Sequence, residues 1–396
     1  MRIALFCHSI RSDWNHGNAH FLRGVATELQ MRGHDVQVYE PANGWSATNL
    51  RRDAGEAALD DYRRVYPTLE PHVYDGAAPD LDLALAGVDV VLVHEWNDPG
   101  LIAAIGKQRR HGGRFTLLFH DSHHRSVTRP DQVNALDLSS YDGVLAFGEA
   151  IRDAYERAGW TARAWTWHEA ADTRVFHPRP AAGDAQDFVW IGNWGDDERT
   201  AELEEFIWGP VSALGLTGSV YGVRYPDAAQ HRIAHTSLRY RGWLPNADVP
   251  GVFADHRVTV HVPRQAYARD LPGIPTIRVF EALACGIPLV SAPWQDTEGL
   301  FRPGHDFLVA RTGAEMTTHL RHVLNDGTLA AELARTGLAT IAARHTCAHR
   351  VDQLLEIISL IRGTRHQLAP FDAPMPAALD PTTTPARPPA EIRSIS

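Results

Sequence analysis

The sequence has almost no lysine. Lys107 is the single lysine among 38 lysine and arginine residues, so every other strong cation is an arginine. Chemistry that needs a lysine nucleophile or Schiff base therefore has one candidate. Cysteine is scarce too: Cys7, Cys285 and Cys347 make an odd, sparse set, which excludes a disulfide framework and fits a reducing compartment. No apolar run reaches the length of a membrane span. Met1 leads straight into the strand-like run Ile3–Phe6 with no separate cleavage site, so a cytoplasmic protein without a signal peptide is expected. A formal charge of -10 argues against a nucleic-acid partner. Nor do histidine and cysteine recur at a strong metal-ligand spacing.

What is present is a doubled series of strand and helix signals. At 396 residues the chain fits two domains of common size. In the first half Ile3–Phe6, Asp35–Tyr39, Val88–Val93, Arg114–Phe119 and Gly143–Phe147 read as short strands. A helical stripe of Phe21, Leu22, Val25 and Leu29 is stopped by Gly33, and Glu149–Ala158 is a helix stopped by Gly159. Such alternation implies a parallel sheet covered on both faces. Asp172–Gln186, with Pro178, Pro180 and Gly183, reads as a linker. Phe188–Ile191, a helix near Ala201–Leu214, Ser219–Gly222 and Arg257–Val262 continue a second series. Arg350–Ile361 is a last amphipathic helix, and the Pro-rich tail beyond Gly363 is expected to be disordered.

The most informative stretch is residues 272–291. Pro275 suits the first turn of a helix. Thr276, Ile277 and Arg278 then offer unpaired N–H groups at a positive helix end, a site for phosphate. Val279, Ala282, Leu283 and Ala284 give an apolar face, Gly286 ends the helix, and Ile287–Val290 is a buried strand. Glu281 is the anomaly, a carboxylate in an apolar helix about one turn from the phosphate-ready end. It suits a ribose hydroxyl pair; the alternative is a helix-dipole carboxylate without a ligand.

This segment resembles the C-terminal domain of GT-B glycosyltransferases, especially the large retaining family numbered four and its spore-maturation-protein-like relatives. The resemblance covers about residues 1–362. It implies two Rossmann-like α/β domains facing across a cleft: residues 1–172 with the helix 346–362 returning to them, a linker over 173–186, a donor domain over 187–345, and the tail 364–396. It implies that Glu281 binds the donor ribose. A second family glutamate, which contacts the sugar, falls at Gly273 in this chain.

Residues after each strand end should face the cleft. Gly17 and Asn18 open the first helix, where the family has a glycine loop near the donor phosphates and acceptor. His120 stands where the family often has a histidine beside the transferred sugar. It suits a sugar hydroxyl contact or proton transfer, as a catalytic residue. His120, Asp121, His123 and His124 also admit a metal reading or a plain polar loop, and the metal expectation is none. After Phe188–Ile191 the family places an arginine and, six residues on, a lysine on the diphosphate. Asn193 and Arg199 stand there. Arg199 suits bidentate diphosphate binding, or simply pairs with Asp196 or Glu202. Arg224 and Arg264 are candidates to offset the cation missing at Asn193. Trp14, Trp96, Trp194 and Trp294 also follow strand ends, as packing or as sugar platforms. Asp60-Asp61 and Asp196-Asp197 read as solvated pairs.

The residues and the resemblance together imply a nucleotide-sugar-dependent glycosyltransferase, by resemblance retaining and metal-independent, with no cofactor beyond the nucleotide-sugar donor and an unnamed acceptor. Two rivals share the fold: a catalytically inactive nucleotide-sugar-binding protein, and a nucleotide-sugar epimerase. A pyridoxal-phosphate phosphorylase is nearly excluded, because Lys107 lies on an expected helix before a strand, away from any strand's C-terminal end.

Overall fold

The computed structural model describes residues 1–161, 163–195 and 197–363. The tail 364–396 and Asp196, with the expectations attached to them, lie outside the described residues. Seven parallel strands build the first sheet: β1 (Arg2–Phe6), β2 (Asp35–Pro41), β3 (His72–Tyr74), β4 (Val90–His94), β5 (Thr116–Asp121), β6 (Gly143–Ala146) and β7 (Ala164–Thr166), in the order β3-β2-β1-β4-β5-β6-β7. Ile3 stands opposite both Val36 and Val90, so β1 is central. The second sheet repeats the plan with β8 (Gln186–Ile191), β9 (Gly218–Tyr221), β10 (Leu238–Gly242), β11 (His256–His261), β12 (Leu289–Ser291) and β13 (Leu308–Val309), in the order β10-β9-β8-β11-β12-β13. Both sheets reverse order at their first strand, the switch point of a doubly wound α/β fold. This is the two-domain, Rossmann-like GT-B architecture.

The central strands are the apolar runs of the sequence; β4 is buried along its whole length. Short, half-exposed edge strands were not legible: β3 and β13 have two or three residues each and no buried position. Helix ends follow local chemistry. Asp98 accepts from Gly100 N–H ahead of Pro99, and Gly159 and Gly286 close their helices in the left-handed region. The expected helix over 201–214 is broken into Thr200–Leu203, a π turn over Glu204–Trp208, and Gly209–Leu214. Pro210 explains this, since it offers no N–H to the preceding turn and its ring crowds the carbonyl of Phe206.

The terminal helix Cys347–Arg362 returns to the first domain. Arg32 pairs with Asp352, Trp167 Nε1 donates to the Arg350 carbonyl at 2.8 Å, and Arg362 Nε donates to Thr116 Oγ1 at 3.0 Å. Gly24 sits beneath this helix, where a Cβ would come within 2.5 Å of Cys347 Sγ. One apolar cluster crosses between the domains, joining Leu22, Phe176, Ile277, Phe280 and Val351. The contact between the domains is therefore partly dry.

Candidate active site

The C-terminal ends of both sheets open into one cleft of about 870 Å³. The loops that follow β1, β4, β5, β6 and β7 line one wall. Those that follow β8, β9 and β11, with the start of the helix Ile277–Cys285, line the other.

The second-domain wall is cationic. Arg199 lines it, buried, with its planar group 5.2 Å from the Trp190 ring centroid. Its Nη1 donates to the Val262 carbonyl at 2.7 Å, and Nη2 donates to the Asn193 carbonyl. Burial, aided by the nearby Arg264 charge, lowers Arg199 to about 10, so it stays charged at neutral pH. Glu202 pairs instead with Gln265 and Arg269. Arg264 stands at the head of the short helix Gln265–Arg269 with Glu198 3.4 Å away. Arg224 lines the cleft from a left-handed backbone (φ 66°), 5.9 Å from the Trp45 ring centroid. Thr276, Ile277 and Arg278 line it at the start of the helix, which has no side-chain cap. Thr276 is the N-cap, so the helix begins two residues after Pro275 and not at it.

Asn193 does not simply leave a gap where a cation was expected. Its Nδ2 donates to Asn15 Oδ1 of the opposite wall, and its Oδ1 accepts from Val223 N–H at 2.9 Å. Gly17 also joins the walls, since a Cβ there would lie 3.1 Å from Ile277 Cγ2. Asn18 Nδ2 donates to Ser122 Oγ at 2.8 Å.

The first-domain wall is built from imidazoles, carboxyls and aromatic rings. His8 and His16 line it with ring centroids 4.8 Å apart, and Nε2 of each is buried without a hydrogen-bond partner among the described residues. Burial lowers His8 to about 4 and His16 well below the usual range. His123 and His124 lie lower still or similar, at about 2 and about 4, again chiefly from burial. Arg125 pairs with the buried Glu95 and lies 4.1 Å from the Trp96 ring centroid. Burial and the facing Asp121 carboxyl raise Glu95.

Two expected contacts fall behind the lining. His120, one residue before the end of β5, packs among Phe21, His94 and Trp167, bordering a separate small apolar cavity and not the cleft. Burial lowers it to about 3. The reason is the pleat, because successive strand residues face opposite sides of the sheet. Glu281 is fully buried between His20, whose Nδ1 lies 2.7 Å from Glu281 Oε1, and Arg278. It joins the first helix of one domain to the phosphate-ready helix of the other and does not line the cleft. Gly273 has φ +87°, and a Cβ there would lie 2.6 Å from Glu298 Oε1. Glu298 occupies that space, contacting His168 Nε2 at 2.7 Å and accepting from Glu149 N–H at 2.8 Å.

Of the four tryptophans after strand ends, only Trp96 lines the cleft; Trp14 and Trp194 are buried. Trp45, which the sequence reading passed over, lines it as well and opens the helix after β2. His16, Glu169 and Tyr267 were also missed. The signal for His16 was its place just ahead of Gly17. Glu169 followed β7, a strand too short to recognise. Among the described residues no group of three or more His, Cys, Asp or Glu side chains is placed to hold a metal ion.

Comparison with known proteins agrees with this geometry. Residues 199–356 match a family model described as glycosyl transferase-like. No functionally curated protein matches the chain. Among solved structures, the chain is similar to Anabaena HepE in complex with UDP and glucose, at 16% identity and a TM-score of 0.62, over 91% of this chain and 100% of that one. It is similar to sucrose-phosphate synthase of Thermosynechococcus elongatus, at 13% identity and 0.62, over 92% and 99%. An α-glucosyltransferase bound to UDP and DNA superposes at 11% identity and 0.66, over 91% and 99%. These likenesses establish the fold.

Proposed function

We propose that this protein is a glycosyltransferase that moves a sugar from a nucleotide-sugar donor to an acceptor, with retention and without a metal ion. One observation carries the reading. Arg199, Arg264, Arg278 and an uncapped helix start converge on one wall of a cleft between two Rossmann-like domains. That set suits the two negative charges of a diphosphate, because guanidinium groups bind phosphate oxygens bidentately and a helix start presents N–H groups and positive potential. The glycosyl transferase-like match over this domain and the UDP complexes of structural neighbours support a nucleoside diphosphate as the group held.

Chemistry follows from charge. The sugar–phosphate bond breaks, negative charge grows on the departing diphosphate, and the arginines stabilise it where a divalent cation otherwise would. A diphosphate oxygen takes the acceptor proton as the acceptor oxygen bonds the anomeric carbon on the same face. Buried His8 and His16 stay neutral at pH 7 and add no competing positive charge on the acceptor side.

A thermal-shift panel of nucleoside diphosphates with EDTA present tests this. A ligand at a hundred times its Kd stabilises the fold by about 2.7 kcal/mol. One diphosphate should do so, and its sugar conjugate should be consumed when acceptors are added. Binding with neither transfer nor hydrolysis marks a nucleotide-sugar-binding protein instead. No stabilisation by any diphosphate or conjugate overturns the reading.

A further inference from the structure

Glu169 lies in the segment that leaves the first domain after β7, and it lines the cleft. Its backbone is clamped. Arg350 Nε, from the terminal helix, donates to the carbonyls of His168 at 2.8 Å and Glu169 at 3.3 Å. Just before it, Trp167 Nε1 donates to the Arg350 carbonyl and His168 meets Glu298. The side chain is not matched in this way. Glu169 is 2% exposed, yet its Oε1 has no hydrogen-bond partner among the described residues. Such a group is costly to leave unmade and points to a partner that arrives with a ligand.

Its surroundings say which partner. Burial pushes the carboxyl well above the usual range, and the Glu281 and Glu95 carboxylates push it further. The nearby arginines lie against those other carboxyls, Arg278 beside Glu281 and Arg125 on Glu95. Tyr267, itself raised by burial, also lies within electrostatic reach of it. An uncharged carboxyl both donates and accepts, which matches a hydroxyl. A phosphate oxygen, by contrast, is held by the arginines of the other domain.

We propose that Glu169 is a sugar-binding residue that holds a hydroxyl of the transferred sugar while the opposite wall holds the diphosphate. This rests on the donor reading above. The test is calorimetric titration of the full-length protein with the tightest nucleoside diphosphate of the panel and with its tightest sugar conjugate. Glu169→Ala should raise the Kd of the conjugate about tenfold and leave that of the diphosphate within about twofold. Glu169→Gln, which keeps a donor and an acceptor, should restore conjugate affinity to within about threefold. Should Glu169→Ala not fold, Glu169→Asp withdraws the carboxyl by one methylene and carries the same comparison. Equal weakening of both ligands, or of neither, overturns the assignment and leaves the donor reading intact. A wild-type protein that binds neither ligand overturns both.

Discussion

The two walls of the cleft come from the same fold, strand order included, and carry different side chains. Both sheets reverse at their first strand, and both present the loops after their strands to the same space. The second-domain loops supply Arg199, Arg224 and Arg264 and an uncapped helix start, with Glu198 and Asp270 beside them; the first-domain loops supply imidazoles, a carboxyl and indole rings, with Arg125 and Arg129 among them. The scaffold sets where ligands bind, and loop residues set which. Charge on the arginine wall is fixed across the physiological range, whereas His8, His16, His123 and His124 of the other wall are neutral at pH 7 because they are buried.

The largest effect that follows is on acid stability. Ten histidines are held below their usual range in the folded state, burial being the first cause. Unfolding therefore takes up protons below the ordinary histidine value. Their contribution is full above about pH 6.5 and is lost as pH falls toward 4, at about 1.4 kcal/mol per unit for each group. Glu95, Asp121 and Glu169 are raised and act in the opposite sense from about pH 4.5 upward, but they are only three. Urea titrations at pH 7 and pH 5 should show a drop of several kcal/mol at the lower pH. Equal stability would mean that the imidazole wall is wetter than described.

Next in size is the contact that joins the walls. Glu281→Ala leaves Arg278 and His20 without their buried carboxylate and should cost about 3–5 kcal/mol in unfolding free energy. A loss of nucleotide affinity with unchanged stability would instead return Glu281 to the ribose.

On the arginine wall alone, Arg199→Ala should lower turnover about a hundredfold, near 3 kcal/mol in barrier, and change the donor's apparent affinity much less. An effect confined to KM would make Arg199 a ground-state binding group. Smaller again is Gly273→Glu. A left-handed backbone and the Glu298 side chain both oppose it, so destabilisation of about 2–3 kcal/mol is expected in thermal or urea unfolding. A gain of stability would show that Glu298 yields.

The fold was legible because its signals are local. Apolar runs such as Val90–Val93 and stops such as Gly159 and Gly286 name their elements without knowledge of neighbours. The cleft was legible in part. Residues directly after recognised strands, such as Asn193 and Arg264, do face it. His120 and Glu281 did not follow, since which way a side chain points depends on the pleat and on what the other domain brings against it. Phe21, His94 and Trp167 surround His120, and His20 meets Glu281, each from far along the chain. Glu169 was invisible for the complementary reason: its meaning comes from Glu95, Glu281 and Arg350 converging from three other segments.

The central claim is that the diphosphate belongs to one wall. Calorimetric titration of the tightest nucleoside diphosphate into wild-type protein, Arg264→Ala and His123→Ala tests it most directly. Arg264→Ala should raise Kd about tenfold or more, as loss of a charge-assisted phosphate contact does, while His123→Ala should leave it within about twofold. Equal weakening by both, or weakening by His123→Ala alone, would contradict it.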